Sequence, residues 1–288
     1  MRIPAKKLKS GFAMPVFGLG TWRMGGDMEY DPSDDEANIK AVKTAIDSGI
    51  THIDSAEKYA QGHAEEIIAQ AIKGYDRSKL FLVSKVADGN LRYDDVLKSC
   101  SDSLKRLEID YLDLYLIHAP NPQIPIKETM KALDKLKAEG LIKNIGVSNF
   151  NVTRMKEAQA NSKNKIVANQ LHYNLIVREV EKKGVLKFCQ ENDVMLIAWR
   201  PLESGLLSKD KSSVMDKVCK KYQKAPAQVA INWLISQPNV VTLSKMKSPT
   251  HLQDNLGAIG WKLEKNDIAD LRKNFPGQKD VSNVCPLI

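Results

Sequence analysis

The feature that most constrains this chain is an alternation. Short apolar runs recur from end to end, each followed by a longer stretch with helical periodicity. The runs lie at residues 16–21, 51–54, 80–85, 112–118, 144–149, 167–172, 195–202 and 240–245, eight in all. Several are apolar at nearly every position, as parallel strands are when both faces are covered. Between them, residues 34–48 place Ala37, Val42, Ala45 and Ile46 on one stripe, with Gly49 as the stop signal. Asp94 stands where an N-cap belongs, before a helix running to Leu107. Residues 127–139 end at Gly140, and residues 226–237 carry Pro226 in the first turn.

Strand–helix units repeated in this way predict an α/β fold: a closed (β/α)8 TIM barrel, with residues 1–288 as one domain. With 43% hydrophobic residues there is enough apolar side chain for such a core. An open doubly wound sheet is the alternative. It is weakened because no early strand is followed by Gly-x-Gly-x-x-Gly, the fingerprint that sheet would need. Ahead of the first strand, Ser10-Gly11 between apolar flanks predicts a small β-hairpin closing the N-terminal bottom of the barrel.

Other features narrow the class of function. The first residues lack the apolar segment of a secretory signal, and no apolar run approaches ~18 residues, so no membrane span is expected. Cys100, Cys189, Cys219 and Cys285 are scattered, without Cys-x-x-Cys or metal-ligand spacing. Free thiols in a cytoplasmic protein without a metal are expected. The net charge of +8 could serve an anionic ligand or nucleic acid. The lysines, however, sit mostly on polar helix faces (Lys131, Lys135, Lys137; Lys220, Lys221, Lys224) and form no long basic run. They read as solvated faces, not a nucleic-acid surface. No long apolar surface segment demands a partner, and a monomer is expected.

In such barrels chemistry collects at the C-terminal ends of the strands. Reading off those ends gives Thr21, Trp22, Asp54, Lys85, His118, Ser148, Asn149, Gln170, Trp199, Arg200 and Lys245. Each has an ordinary structural role available. Asp54 and Lys85 could be an internal ion pair, His118 a satisfied core histidine, Ser148 and Asn149 helix caps, and Trp199 core. Together they weaken that reading, because all the groups point at one opening.

These residues stand in patterns that resemble the aldo-keto reductase family. Gly49-Ile50-Thr51-His52-Ile53-Asp54-Ser55-Ala56-Glu57-Lys58-Tyr59 is similar to its signature around a catalytic aspartate and tyrosine. Leu82-Val83-Ser84-Lys85 resembles its lysine motif and Leu114-Tyr115-Leu116-Ile117-His118 its histidine strand. Ile145-Gly146-Val147-Ser148-Asn149-Phe150 and Asn169-Gln170 resemble its nicotinamide-carboxamide contacts, and the likeness runs in order from about Gly18 to Asn255. The resemblance implies an NADP(H)-dependent reductase with Asp54, Tyr59, Lys85 and His118 catalytic and no metal. Tyr59 would be the general acid and His118 would orient the substrate oxygen, with Trp22 beside them against the substrate. Ser148, Asn149 and Gln170 would grip the carboxamide, and Trp199 would stack on the nicotinamide. Thr21, Trp22 and Asp54 would also line the cofactor site. A free phenol has a pKa of ~10, so the expectation is that Lys85, held by Asp54, lowers it.

The likeness breaks in two places. The family's adenosine 2′-phosphate motif is matched by Lys245, Asp254 and Asn255, but Met246 replaces a hydroxyl residue and His251 replaces arginine. Arginine grips phosphate bidentately and histidine only when charged, so weaker or pH-dependent NADPH affinity is expected, with NADH a poorer alternative. Arg200 stands where serine is usual, beside Leu202 and Ser204, which match the loop over the pyrophosphate; it either supplies a charge there or faces solvent. The connection 119–125 and the tail 276–288 are short. An open mouth lined by Trp22, Arg23, Tyr30, Tyr59 and Pro120 is expected to admit small or aromatic aldehydes, or dicarbonyls such as methylglyoxal, ahead of steroids. A cofactor-binding regulatory module or a structural protein reusing the fold are the other classes. The complete set Asp54, Tyr59, Lys85 and His118 speaks for the enzyme.

Overall fold

The structure is a computed structural model and describes residues 3–246 and 248–287. Strands β1 (Ala5–Lys7) and β2 (Ala13–Pro15) pair antiparallel, Ala5 opposite Pro15 and Lys7 opposite Ala13. The barrel strands follow: β3 (Phe17–Gly20), β4 (His52–Asp54), β5 (Phe81–Val86), β6 (Leu114–Ile117), β7 (Ile145–Ser148), β8 (Ile166–His172), β9 (Met195–Trp199) and β10 (Val240–Ser244). Each lies parallel to the next, and β10 pairs with β3 to close the ring.

Helices return the chain between strands and two more follow the last one. They are α1 (Asp35–Asp47), α2 (His63–Ile72), α3 (Tyr93–Leu107), α4 (Ile126–Ala138), α5 (Val152–Ala160), the short pair α6 (Glu179–Lys182) and α7 (Val185–Glu191), then α8 (Ser213–Tyr222) and α9 (Pro226–Ile235), and finally α10 (Pro249–Leu256) and α11 (Lys265–Asn274). Pro226 opens α9 as its spacing predicts. Gly49 and Gly140 take left-handed φ of 100° and 78° just past α1 and α4.

Two expectations need correction. Asp94 is not the cap of α3: Arg92 holds the N-cap position, and Asp94 lies in the first turn, where its carboxylate faces the helix's positive end. The run at 195–202 stops as a strand at Trp199, because Arg200 turns left-handed (φ 54°) and Pro201 follows.

The two faces of each strand serve different layers. Inward-facing Val83, Leu114, Leu116, Val167, Met195, Ile197, Val241 and Leu243 pack with Leu8, Phe12 and Met14 of the hairpin. Phe12 meets Phe81, at the start of β5, edge-on with ring centroids 6.1 Å apart. The hairpin therefore closes the N-terminal mouth with carbon. Its tip is anchored by Asp193, whose carboxylate accepts from Lys9 N and Ser10 N at 2.8 Å each. His52 also lies inside, and only glycine fits opposite it: a Cβ on Gly18 would come within 2.2 Å of the His52 ring. With the bottom filled, the polar strand ends face the opposite rim.

Among the described residues no helix is long and apolar enough to cross a membrane. Nor do they contain a group of three His, Cys, Asp or Glu side chains that could hold a metal ion. Cys100, Cys189, Cys219 and Cys285 are free thiols.

Candidate active site

Parallel register brings the predicted groups together. Asp54 ends β4 and pairs with Val83 of β5, two residues before Lys85, so both side chains enter the barrel mouth. The Lys85 ammonium, fully buried, donates to Asp54 Oδ1 at 2.6 Å, to the Ser55 carbonyl at 2.7 Å and to the Tyr59 hydroxyl at 3.2 Å. The other Asp54 oxygen accepts from Gln170 Nε2 at 2.8 Å. One carboxylate thus joins β4, β5 and β8.

Tyr59 reaches back over the mouth because the chain after it coils left-handed at Ala60, Gln61 and Gly62 (φ 48°, 57° and 95°). Non-glycine residues pay for that conformation in backbone strain, which is concentrated beside functional groups. The turn is held from both sides. Ala60 N donates to Asp27 O at 3.3 Å and Gln61 Nε2 to Glu29 at 2.5 Å, while Ala87 N donates to Glu57 at 2.6 Å. The phenol ring packs edge-on against Trp22 (5.1 Å between centroids) and His118 (5.6 Å).

Asn149, left-handed at φ 63°, donates through Nδ2 to His118 O and Ser148 Oγ at 3.0 Å each. Ser148 Oγ in turn donates to Gln170 O at 2.9 Å. Asn149 Oδ1 and His118 Nδ1 are buried without a hydrogen-bond partner. Buried polar atoms are rarely left so, and an acceptor of this kind at a barrel mouth suits an incoming amide.

The family model described as Aldo/keto reductase family matches residues 16–274. The chain belongs to the aldo/keto reductase family. It is similar to methylglyoxal reductase YeaE of Escherichia coli (strain K12), 35% identical over 274 residues and covering 93% of each chain. The crystal structure of thermostable aldo-keto reductase Tm1743 in complex with the inhibitor epalrestat superposes with a TM-score of 0.91 at 44% identity, covering 94% of this chain and 99% of that one. An aldo-keto reductase from Klebsiella pneumoniae in complex with NADPH superposes at 0.85 with 33% identity, covering 98% of each.

In this aldo-keto reductase the electrostatics of the mouth differ from the sequence expectation in one respect. Burial raises the Tyr59 pKa above 10, and the Lys85 ammonium only partly offsets that. Lys85 was expected to acidify the phenol outright; desolvation of the phenolate is the larger effect. Burial alone would lower Lys85, yet Asp54 and Tyr59 outweigh it and raise its pKa, which keeps the ammonium charged. His118 is pushed down to about 3 by burial and by Lys85 and Lys58, so its imidazole is neutral.

The predicted cofactor residues occupy two further stretches. Trp199 ends β9 half-buried, stacked on His172 at 4.2 Å and 14°. Arg200 is half-buried too, its guanidinium 5.9 Å from the Trp199 ring, and Leu202 and Ser204 follow in a turn where Arg200, Glu203 and Ser204 are all left-handed. Beyond β10, Lys245 is exposed and its ammonium lies 3.5 Å from Arg23 O. Met246 is buried in the core, so its side chain cannot replace the missing hydroxyl. His251 and Asp254 are exposed on α10, and Asn255 is buried with Nδ2 3.5 Å from Ser244 Oγ. Thr21 is consumed structurally: its hydroxyl donates to Asp54 O (3.1 Å) and contacts Ser55 Oγ (3.0 Å).

Sequence reasoning missed Ser55 and His172. Ser55 follows Asp54 directly, and its carbonyl is a Lys85 acceptor that no side-chain motif announces. His172 was within reach, since it lies two residues after Gln170 on the same face of β8.

Proposed function

We propose that this aldo-keto reductase reduces small or aromatic aldehydes and ketones, dicarbonyls such as methylglyoxal among them, to alcohols with NADPH. The observation that carries the reading is the buried ammonium of Lys85 held between Asp54 and the Tyr59 hydroxyl. Hydride is the chemistry the nicotinamide supplies when bound. Everything else falls to the protein. Tyr59 keeps its proton at neutral pH and gives it to the carbonyl oxygen as negative charge develops there. The phenolate left behind is stabilised by Lys85, whose charge Asp54 secures. His118, neutral, donates an N–H to the same oxygen and aligns it, and Trp22 and Tyr59 wall the carbonyl substrate.

Ser148, Asn149 and Gln170 would hold the carboxamide, with the unpartnered Asn149 Oδ1 as acceptor, and Trp199 would stack on the ring. Trp22, Arg200, Leu202 and Ser204 would border the cofactor on its way to Lys245, His251, Asp254 and Asn255, where the adenosine phosphate would lie, with Thr21 beneath them; at Met246 only the backbone is available. All four catalytic groups come from one chain, so a monomer of one barrel domain suffices. The test is a steady-state panel of carbonyls of graded size with NADPH and with NADH. Small and aromatic aldehydes should be reduced fastest, with NADPH preferred over NADH. Bulky steroid ketones winning by a wide margin, or no NADPH-dependent reduction, would overturn the proposal.

A further inference from the structure

Beneath Trp199 lies a hydrogen-bonded chain that the mechanism above does not use. His172 is buried, and its ring is nearly parallel to the Trp199 indole. Its Nδ1 meets Ser282 Oγ at 2.8 Å and its Nε2 meets Glu203 Oε2 at 2.8 Å. Ser282 Oγ already accepts from Val284 N (3.2 Å) and Cys285 N (3.0 Å), which occupies both its lone pairs. Its own proton therefore points at His172 Nδ1. That fixes the imidazole as the Nε2–H tautomer, donating to Glu203. Burial alone would raise the Glu203 pKa, but the bonds from His172 and Asn174 hold it low, so the acceptor is a carboxylate.

Glu203 lies in the strained turn after β9, where Arg200, Glu203 and Ser204 have φ of 54°, 44° and 56°. Asn174 Nδ2 pins the same turn, donating to Arg200 O at 2.9 Å and Glu203 Oε2 at 2.8 Å. A left-handed non-glycine turn persists only where its surroundings dictate it. Here the dictating groups are His172 and Asn174, and His172 is in turn held by the C-terminal tail.

We propose that His172 is a positioning residue that couples the docked C-terminal tail, through Ser282, to the Trp199 platform and the 200–205 turn that receive the cofactor. The inference rests on the reading that Trp199 faces the nicotinamide. Trp199 takes its plane from the ring it stacks on, and that ring takes its plane from two bonds, one from the tail and one to the turn. Loosening the tail bond frees both the platform and the strained turn together.

The test uses Ser282→Ala, Ser282→Thr and His172→Phe in the full chain. Tail docking survives Ser282→Ala, because Ser282 N and Leu287 N still donate to Glu179 at 2.9 and 3.0 Å. Hydrogen–deuterium exchange without cofactor should be about fivefold faster over residues 200–207 in Ser282→Ala, as the loss of the bond to His172 implies; the bonds from Val284 N and Cys285 N that go with it are local to the tail. The NADPH Kd should rise by a similar factor, while the turnover at saturating NADPH changes less than about twofold. His172→Phe keeps a flat ring over Trp199 yet should show the same pattern, and Ser282→Thr should restore wild-type values. Unchanged exchange over 200–207 in both Ser282→Ala and His172→Phe would overturn the coupling. A wild type that binds no NADPH would instead overturn the reductase reading, and the exchange data would still decide the coupling.

Discussion

Lys85 is where stability and chemistry meet most directly. A buried ammonium persists only because Asp54, the Ser55 carbonyl and the Tyr59 hydroxyl surround it. Removing it strands the Asp54 carboxylate, and a stranded buried charge costs about 3–5 kcal/mol. Lys85→Met should therefore lower unfolding stability by that amount, and adding Asp54→Asn should restore much of it. Urea denaturation of the single and double variants checks this, and a Lys85→Met protein as stable as wild type would contradict it. His52 makes the opposite kind of site, a buried imidazole whose two nitrogens have no partner. Burial lowers its pKa from 6.5 to about 4. Between those values the unfolded chain binds the proton more readily, so stability falls as pH drops through this window, by on the order of 3 kcal/mol in total. Denaturation at pH 7 and pH 4.5 should show a smaller acid loss in His52→Leu than in wild type.

At the scale of elements, periodicity located the barrel strands because their apolar runs are continuous, and every one of the eight appears in the closed sheet. What it did not locate were endings set by backbone conformation. Arg200 and Gln223 adopt left-handed φ without being glycine, and nothing in their side chains signals it. The same limit hid the Tyr59 turn, where Ala60 and Gln61 are left-handed. Asp54, Lys85, His118 and Gln170 were legible as polar residues closing apolar strands. Ser55 was not, because it acts through its carbonyl, and the Tyr59 acidity was misjudged because burial does not show in a motif. Gln223 follows α8 at φ 53° and is exposed. Gln223→Gly should thus stabilise the protein by about 0.5–1 kcal/mol, read as a raised urea midpoint with unchanged activity.

For the whole molecule, the barrel divides labour between its ends. The hairpin seals one mouth with Leu8, Phe12 and Met14, and the opposite rim carries the charges. Met14 is fully buried there, so Met14→Ala should cost about 2–5 kcal/mol while leaving the KM for carbonyl substrates unchanged. A changed KM would mean the ends communicate. On the proposed mechanism Tyr59 delivers the proton while Lys85 and Asp54 hold it ready. Single-turnover oxidation of bound NADPH by methylglyoxal, wild type against Tyr59→Phe, tests it directly. In Tyr59→Phe the rate should be lower by about 10²–10⁴ with NADPH affinity intact. Hydride transfer at the wild-type rate without the phenol hydroxyl would contradict it.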